Sequence, residues 1–172
     1  IKSMIQKAHQ YGILVMIDAA QSISHHEINI KSLDCDFLVF SGHKMFASTG
    51  VGVLFGKHHL LEEMSPFMYG GQMIDQVGLT ESTWNAVPLK FEAGTPNIAE
   101  VISLGPAIDF IEILGIANIK RHLNDITNSY LDLLKDFPGI TIYGKKTVCS
   151  KGQPHLDRGP VIAFHIEGIH PY

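Results

Sequence analysis

The sequence predicts an α/β fold built around a mostly parallel sheet. Three short apolar runs carry this prediction, at residues 13–17, 36–40 and 51–55. A continuous apolar run without polar alternation is typical of a strand that is buried on both faces, as in parallel sheets. A helical segment precedes the first run and longer helical segments follow the third. This succession of elements favours a layered α/β architecture.

Each remaining element has its own local signal. Residues 2–11 show helical apolar spacing, and Gly12 supplies a C-cap. Residues 64–92 carry glycines and prolines without a clear period, which predicts a long functional loop region. The later elements are two helices and two strands, predicted at residues 97–114, about 118–135, 140–143 and 161–166.

The pattern of elements also predicts a domain boundary near residue 116. We expect residues 1–115 to be part of a larger domain and residues 116–172 to be the incomplete start of a smaller α+β domain. Ile1 falls inside an apparent helix, and the chain stops just after an apparent strand. We therefore expect the chain to be a central fragment of a longer protein.

Composition narrows the class of protein. The 172 residues are 45% hydrophobic and 17% charged, as in a folded domain rather than a disordered chain. The net charge of -4, without a basic patch, argues against nucleic acid as a partner. No apolar run reaches the roughly 18 residues that a membrane span needs. Two cysteines, Cys35 and Cys149, make no disulfide framework, so a cytoplasmic location is expected.

Polar residues follow the first two apolar runs where each predicted strand ends. The two tetrads are Asp18-Ala19-Ala20-Gln21 and Ser41-Gly42-His43-Lys44. In open α/β sheets, ligands bind at the carboxyl ends of the strands. An acid and a lysine at that edge suit pyridoxal phosphate (PLP), because the amine condenses with its aldehyde and the carboxylate faces its pyridine nitrogen. Lys44 and Asp18 are the predicted residues for these two roles.

The other polar residues of the tetrads complete the predicted PLP site. Gln21 can reach the ring hydroxyl, and Ser41 and His43 can donate hydrogen bonds to the phosphate. We expect the strand end to desolvate Asp18 in part, so that it needs a cationic partner. Taken singly, an Asp after a strand is more often a helix N-cap, and a Lys there is more often a solvated surface residue. The joint pattern is therefore the stronger signal.

Metal and nucleotide sites are weaker alternatives. The histidine pairs His25-His26 and His58-His59 are adjacent in sequence, and neighbouring residues do not share a face on a helix or a strand. No Cys-x-x-Cys or His-Glu-x-x-His spacing occurs. The glycines at 50–56 lack the spacing of a dinucleotide or P-loop fingerprint. We expect no metal site.

The two tetrads are part of a longer series of motifs. They are followed by Thr49-Gly50-Val51-Gly52 and by Phe91-Glu92-Ala93-Gly94-Thr95-Pro96-Asn97. In this order and spacing, the four motifs resemble the class V aminotransferase family and, within it, the group II (SufS-type) cysteine desulfurases. The resemblance covers nearly the whole chain.

The resemblance implies a homodimeric fold type I PLP enzyme whose large domain contains residues 1–115. Such an enzyme would remove sulfur from L-cysteine, leaving L-alanine and an enzyme persulfide for iron–sulfur cluster assembly through a possible sulfur-acceptor protein. Lys44 would hold PLP and move protons, with Asp18, Gln21, Ser41 and His43 in the roles given above. Thr95 would reach the phosphate in the partner subunit, and the loop at 70–74 would lean over the neighbouring site.

The chain also departs from the family pattern. Ala47-Ser48 stands where family members usually have Gly-Pro. The family's catalytic cysteine, substrate-carboxylate arginine and cofactor-stacking histidine lie outside this segment. We expect Cys35 to be a buried core thiol and Cys149 to be incidental. We therefore expect the segment alone to be inactive.

The substrate and the activity stay open at this stage. Within the same family, a selenocysteine lyase or another class V PLP enzyme is an alternative to a desulfurase. A non-catalytic fragment that dimerises without turning over a substrate is the alternative from a different class.

Overall fold

The computed structural model describes residues 1–144 and 159–170, which form two compact units. The first unit is Ile1–Ile113 and the second is Leu114–Tyr172. The assignment of residues 1–115 to a cofactor-binding large domain and of 116–172 to a small domain stays a prediction. Cys149 and most of the predicted polar loop lie outside the described residues.

The sheet of the first unit contains the three predicted strands. They are β1 (Met16–Asp18), β2 (Phe37–Ser41) and β3 (Gly52–Gly56), in the order β1-β2-β3. β1 and β2 are parallel neighbours, as predicted. β3 runs antiparallel to β2, so the described sheet is mixed rather than mostly parallel. The connection between β2 and β3 is too short for the crossover of a dozen or more residues that a parallel pair requires.

One face of this sheet is covered. Helix α1 (Lys2–His9) places Ile5 in a core with Ala19, Cys35 and Leu38, each at most 1% exposed. Cys35 is therefore a buried core thiol, as predicted. A short helix, α2 (Ile30–Leu33), contributes further apolar side chains to this core.

The opposite face, which we call the open face, is largely uncovered. Met16 is 56% exposed and Leu54 is 46% exposed, so the prediction of strands buried on both faces is wrong for this chain. Side chains alternate along a strand, and the register aligns Asp18 with Val39. Asp18, Val39 and Ser41 therefore share the open face.

The predicted loop region at 64–92 contains regular structure. Strands β4 (Ile74–Val77) and β5 (Ser82–Trp84) form an antiparallel hairpin that follows the short helix α3 (His58–Glu63). The prediction of an irregular loop is wrong for these residues. The hairpin has no buried face, so its sequence lacks the apolar alternation by which a half-buried strand is recognised.

The remaining elements match the predicted types with shifted ends. They are α4 (Ile98–Leu114), α5 (Ile116–Leu134), β6 (Ile140–Ile142) and β7 (Phe164–Ile166), and β6 pairs antiparallel with β7. Within the described ranges, no single helix is long and apolar enough to cross a bilayer, although α4 and α5 taken together meet the length and composition test.

Candidate functional site

The parallel strands β1 and β2 bring the two predicted tetrads to one edge of the sheet. Asp18 is the last residue of β1, and Ser41 is the last residue of β2. Asp18 pairs in register with Val39, two residues before Ser41. Because parallel strands end at the same edge, the carboxylate and the lysine-bearing turn lie at one edge, as the PLP hypothesis requires.

Lys44 lies on a short 3-10 helix, Gly42–Met45, which follows directly from β2. We call residues 41–46 the lysine turn. It is closed by a hydrogen bond from Phe46 N–H to Gly42 O and ends at Phe46, which has a left-handed φ of 71°. The Gly42 N–H donates to Val51 O (2.9 Å) and joins the turn to the segment before β3. Met45 is buried and anchors the turn, whereas Lys44 and its neighbour His43 are exposed.

Gly42, at the start of the lysine turn, has no room for a side chain. Gly42 is buried, and a Cβ there would lie 2.6 Å from Val51 Cγ1 and 3.2 Å from Val51 O. Any side chain at this position would displace β3 from β2. The Gly in the tetrad is thus needed for packing under the lysine turn.

Asp18 begins a tight turn that carries Gln21. Its Oδ1 accepts a hydrogen bond from Ala20 N–H at 2.9 Å, while the buried Ala19 donates to Val39 O at 2.8 Å. Asp18 and Gln21 are both exposed, so the expectation that the strand end desolvates Asp18 is wrong for this chain. The cause is the open face, on which no described element covers Asp18.

The position of Thr95 in this structure does not test its predicted role. Thr95 is exposed and lies just before α4, and no hydrogen bond between described residues connects it to Asp18 or Lys44. The resemblance implies that Thr95 serves the partner subunit's site, and this role stays a prediction.

The groups at the strand edge fit PLP in chemistry. Among the described residues, the Lys44 amine and the His43 ring have no hydrogen-bond or ion-pair partner, and the Ser41 hydroxyl makes no capping hydrogen bond. Asp18 uses one oxygen for Ala20. An amine, a carboxylate oxygen, a hydroxyl and an imidazole thus remain available for an aldehyde, a ring nitrogen and a phosphate.

A second group of charged residues, which the sequence analysis did not single out, lies at the other end of β2. Asp36 is 3% exposed and accepts hydrogen bonds from Val15 N–H (2.7 Å) and His9 Nε2 (2.8 Å). Lys57 Nζ is 2.9 Å from both Asp36 Oδ1 and Asp34 Oδ1. This group, the Asp36 cluster (His9, Asp34, Asp36 and Lys57), connects α1, β2 and β3.

The electrostatics of the Asp36 cluster follow from its contacts. Burial acts to raise the pKa of Asp36, but hydrogen bonds from Val15, His9 and Lys57 outweigh it and lower that pKa to about 2. The hydrogen bonds to Asp34 and Asp36 raise the pKa of Lys57. In the sequence, the only sign of this cluster is the run Asp34-Cys35-Asp36 before a strand. That run does not show which residues, 20 or more positions away, pair with the two aspartates.

Histidines form no metal site in the described part of the chain. There, no three or more His, Cys, Asp or Glu residues are grouped so that they could hold a metal ion. His25 and His26 lie in a turn, where their ring centroids are 4.8 Å apart. These adjacent histidines approach each other because they lie in a turn, whereas the prediction considered only helices and strands.

The fold and the strand-edge groups together define an α/β protein of the PLP-binding type. Comparison with known families agrees: the aminotransferase class-V family matches residues 1–172. The chain belongs to the class V aminotransferase family. Members of this family use pyridoxal phosphate.

Curated relatives are cysteine desulfurases by name. A probable cysteine desulfurase of Halalkalibacterium halodurans is 44% identical over 172 residues, covering 100% of this chain and 40% of the relative. A probable cysteine desulfurase of Halobacterium salinarum is 41% identical over 96% of this chain and 38% of its own length. A cysteine desulfurase of Escherichia coli is 41% identical over 100% of this chain and 40% of its own length. The chain thus spans about two fifths of these relatives.

Solved structures show the same fold. The cysteine desulfurase CsdA from Escherichia coli superposes with a TM-score of 0.85 at 35% identity, over 98% of this chain and 40% of that one. An apo cysteine desulfurase from Thermococcus onnurineus gives 0.82 at 34% identity, over 99% of this chain and 41% of that one. The predicted fold type I architecture is confirmed.

Proposed function

We propose that this chain provides the cofactor-binding part of a PLP-dependent cysteine desulfurase. The observation that carries the proposal is the convergence of Asp18 and the lysine turn at one sheet edge, with Lys44 exposed and unpaired among the described side chains. The relatives named above support cysteine as the substrate. The products would be L-alanine and a persulfide whose sulfur passes to an acceptor protein for iron–sulfur cluster assembly.

Lys44 has the central role in this proposal. When bound, PLP supplies an electron sink that weakens the bonds at the substrate Cα. Lys44 would hold the cofactor covalently and then, as a free amine beside the Cα, accept and return a proton there. Its exposed position on a turn anchored by buried Met45 leaves the amine free to reach a ligand above the strand edge.

The neighbouring residues would orient the cofactor. The free carboxylate oxygen of Asp18 would keep a proton on the pyridine nitrogen, which maintains the electron sink. Gln21 lies on the same turn and would donate to the ring hydroxyl. Ser41 and His43 would donate to the phosphate, where charge-assisted hydrogen bonds are strong. Thr95 would serve the phosphate of the partner subunit in a homodimer.

Substrate turnover by the full-length protein tests this proposal. With PLP and a reductant added, we expect L-cysteine to give alanine and sulfide in equal amounts. Asp18→Ala should leave the cofactor attached but slow turnover by about 10²-fold or more, because the pyridine nitrogen loses its carboxylate partner. Lys31→Ala, an exposed lysine on α2, is the matched surface control and should leave turnover unchanged.

The alternative activities are separate outcomes of the same assay. Turnover of L-selenocysteine with negligible turnover of L-cysteine would replace the desulfurase by a selenocysteine lyase. Cofactor binding without turnover of either amino acid would indicate another class V enzyme. Absence of cofactor binding would contradict the proposal and favour a non-catalytic module. A cytoplasmic location is part of the proposal, because the enzyme chemistry needs reduced thiols.

A further inference from the structure

The loop that follows the lysine turn is bound to helix α4. We call residues 47–51, between the lysine turn and β3, the return loop. Ser48 N–H donates to Ser103 Oγ at 3.0 Å, across a sequence separation of 55 residues. Asn97 Nδ2 donates to Gly50 O at 2.8 Å, across 47 residues. Two side chains at the start of α4 therefore hold a loop that is distant in sequence.

The hydroxyl of Ser103 is oriented for this role. It donates its own hydrogen to Glu100 O at 2.6 Å, within the same helix. Its oxygen lone pairs are thus left to accept the hydrogen bond from Ser48. An alanine at position 103 would keep the helix but leave the Ser48 N–H without this acceptor.

The lysine turn itself also contacts α4. A Cβ on Gly42 would lie 3.3 Å from Leu104 Cδ2, so the helix packs directly against the first residue of the 3-10 helix. The Phe46 ring meets the Phe110 ring edge to face, with centroids 5.2 Å apart. The helix therefore contacts the lysine turn on both sides of Lys44.

The residue type at position 48 gives the Ser48 hydrogen bond a function. A proline at position 48 would have a fixed φ and no N–H, so it would need no acceptor. Ser48 has a freer backbone and an N–H that can donate a hydrogen bond. Ser103 supplies that partner, and the return loop is held by a hydrogen bond instead of by a ring.

We propose that Ser103 and Asn97 are positioning residues for Lys44. This inference rests on the proposed function, because it assigns to both side chains the task of keeping the lysine amine in its reactive position. β2 fixes the lysine turn at Ser41 and β3 fixes the return loop at its far end. Between these ends, the side chains of Ser103 and Asn97 hold Ser48 and Gly50 of the return loop. Loss of these α4 contacts therefore widens the range of positions that the adjoining lysine turn and its Lys44 amine occupy. A displacement of about 1 Å in a reacting group can cost on the order of 10²-fold in rate.

Asn97 adds a second consequence. It lies two residues after Thr95, which the family resemblance assigns to the partner subunit's site. The Asn97 side chain therefore joins the segment of Thr95 to the loop that follows Lys44. A variant at position 97 should affect both the subunit's own site and that of its partner.

The test compares three serine variants in the full-length protein loaded with PLP. Ser103→Ala should lower kcat by about 10-fold, leave KM within about twofold and move the pH midpoint of the bound cofactor's visible absorbance band. Ser103→Thr keeps the hydroxyl and should restore all three values. Ser129→Ala is the matched control, because it removes a helix serine hydroxyl bound to a carbonyl four residues earlier, Asp125 O at 2.9 Å.

A second pair of variants tests the role of the Ser48 N–H. Combining Ser48→Pro with Ser103→Ala removes the donor together with its acceptor, and we expect it to recover most of the lost kcat. Asn97→Ala should behave like Ser103→Ala and add to it; if it does not fold, the serine variants alone decide. Hydrogen exchange of the cofactor-free protein should be faster at residues 46–51 in Ser103→Ala than in Ser129→Ala.

The outcomes separate this inference from the proposed function. If the parent protein carries no cofactor on Lys44, the proposed function fails and this inference fails with it. If the cofactor is on Lys44 but Ser103→Ala leaves kcat and the absorbance midpoint unchanged, only the positioning role is overturned. An equal loss in Ser129→Ala, or no restoration by Ser103→Thr, would also overturn it.

Discussion

Near each end of strand β2, the sheet presents an aspartate and a lysine, with opposite results. At the amino-terminal end, Lys57 lies 2.9 Å from the buried Asp36, and both are paired within the protein. At the carboxyl end, Asp18 and Lys44 are exposed and form no ion pair among the described residues. An acid and a lysine that bind each other stabilise the fold, whereas an acid and a lysine left unpaired at one strand edge are available to a ligand.

The sharpest way to break this comparison is to exchange each lysine in the full-length protein. Lys44→Ala should abolish turnover, by about 10³-fold or more, and remove the cofactor's visible band, because no amine remains to bind PLP or move the Cα proton. Lys44→Arg should be nearly as damaging, since a guanidinium stays protonated and cannot condense with the aldehyde. Steady-state kinetics and absorbance spectra measure both effects.

Lys57→Ala is the counterpart at the other end of β2, and its effect should fall on stability. Removing the amine leaves Asp36 buried with Val15 and His9 as its partners among the described residues, which we expect to cost about 2–4 kcal/mol in the free energy of unfolding. Denaturant titration gives this value. A variant as stable as the parent would show that the Asp36 cluster does not hold the sheet.

Acid should weaken the protein through Asp36. Its pKa is about 2 in the folded state, below the ordinary value of 3.8. A depressed carboxyl pKa contributes stability that is present above the unfolded-state value and is lost as the pH falls through the folded-state value. The free energy of unfolding should therefore fall between about pH 5 and pH 2. Asp36→Asn should be less stable at neutral pH and should flatten this part of the pH profile; an unchanged slope would contradict the assignment.

The smallest expected effect concerns Cys35. Burial raises the pKa of this thiol, so it should react slowly with thiol reagents. In a Cys149→Ser variant of the 172-residue chain, Cys35 is the remaining cysteine, and we expect labelling only after unfolding.

We also expect the 172-residue chain with PLP to release sulfide from L-cysteine no faster than free PLP does. Faster release would show that Cys35 or Cys149 accepts sulfur.

The sequence predicted the parts of the fold that depend on local pattern. The apolar run before Asp18 and the run before Ser41 predicted adjacent parallel strands, and the structure has them. The same runs gave a wrong prediction of strands buried on both faces. An apolar run shows that both faces of a strand can be covered, but not which segment covers each face. Met16 and Leu54 belong to the open face and stay largely exposed.

The interactions that the sequence could not predict join distant residues. Nothing local marks Ser103 as the acceptor for Ser48 or Lys57 as the partner of Asp36, because each contact depends on the three-dimensional arrangement of the strands and α4. Thr95 was predicted through its motif, and the role proposed for it involves a second subunit. The positions of Asp18 and Lys44 were predictable because both follow a strand end, which is a feature of sequence order.

Borohydride reduction of the PLP-loaded full-length protein, followed by peptide mapping, tests the central claim most directly. Reduction fixes the cofactor to the lysine that holds it. We expect a single pyridoxyl adduct, on the peptide that contains Lys44. An adduct on Lys57 or Lys31, or no lysine adduct at all, would contradict both the site and the function proposed for this chain.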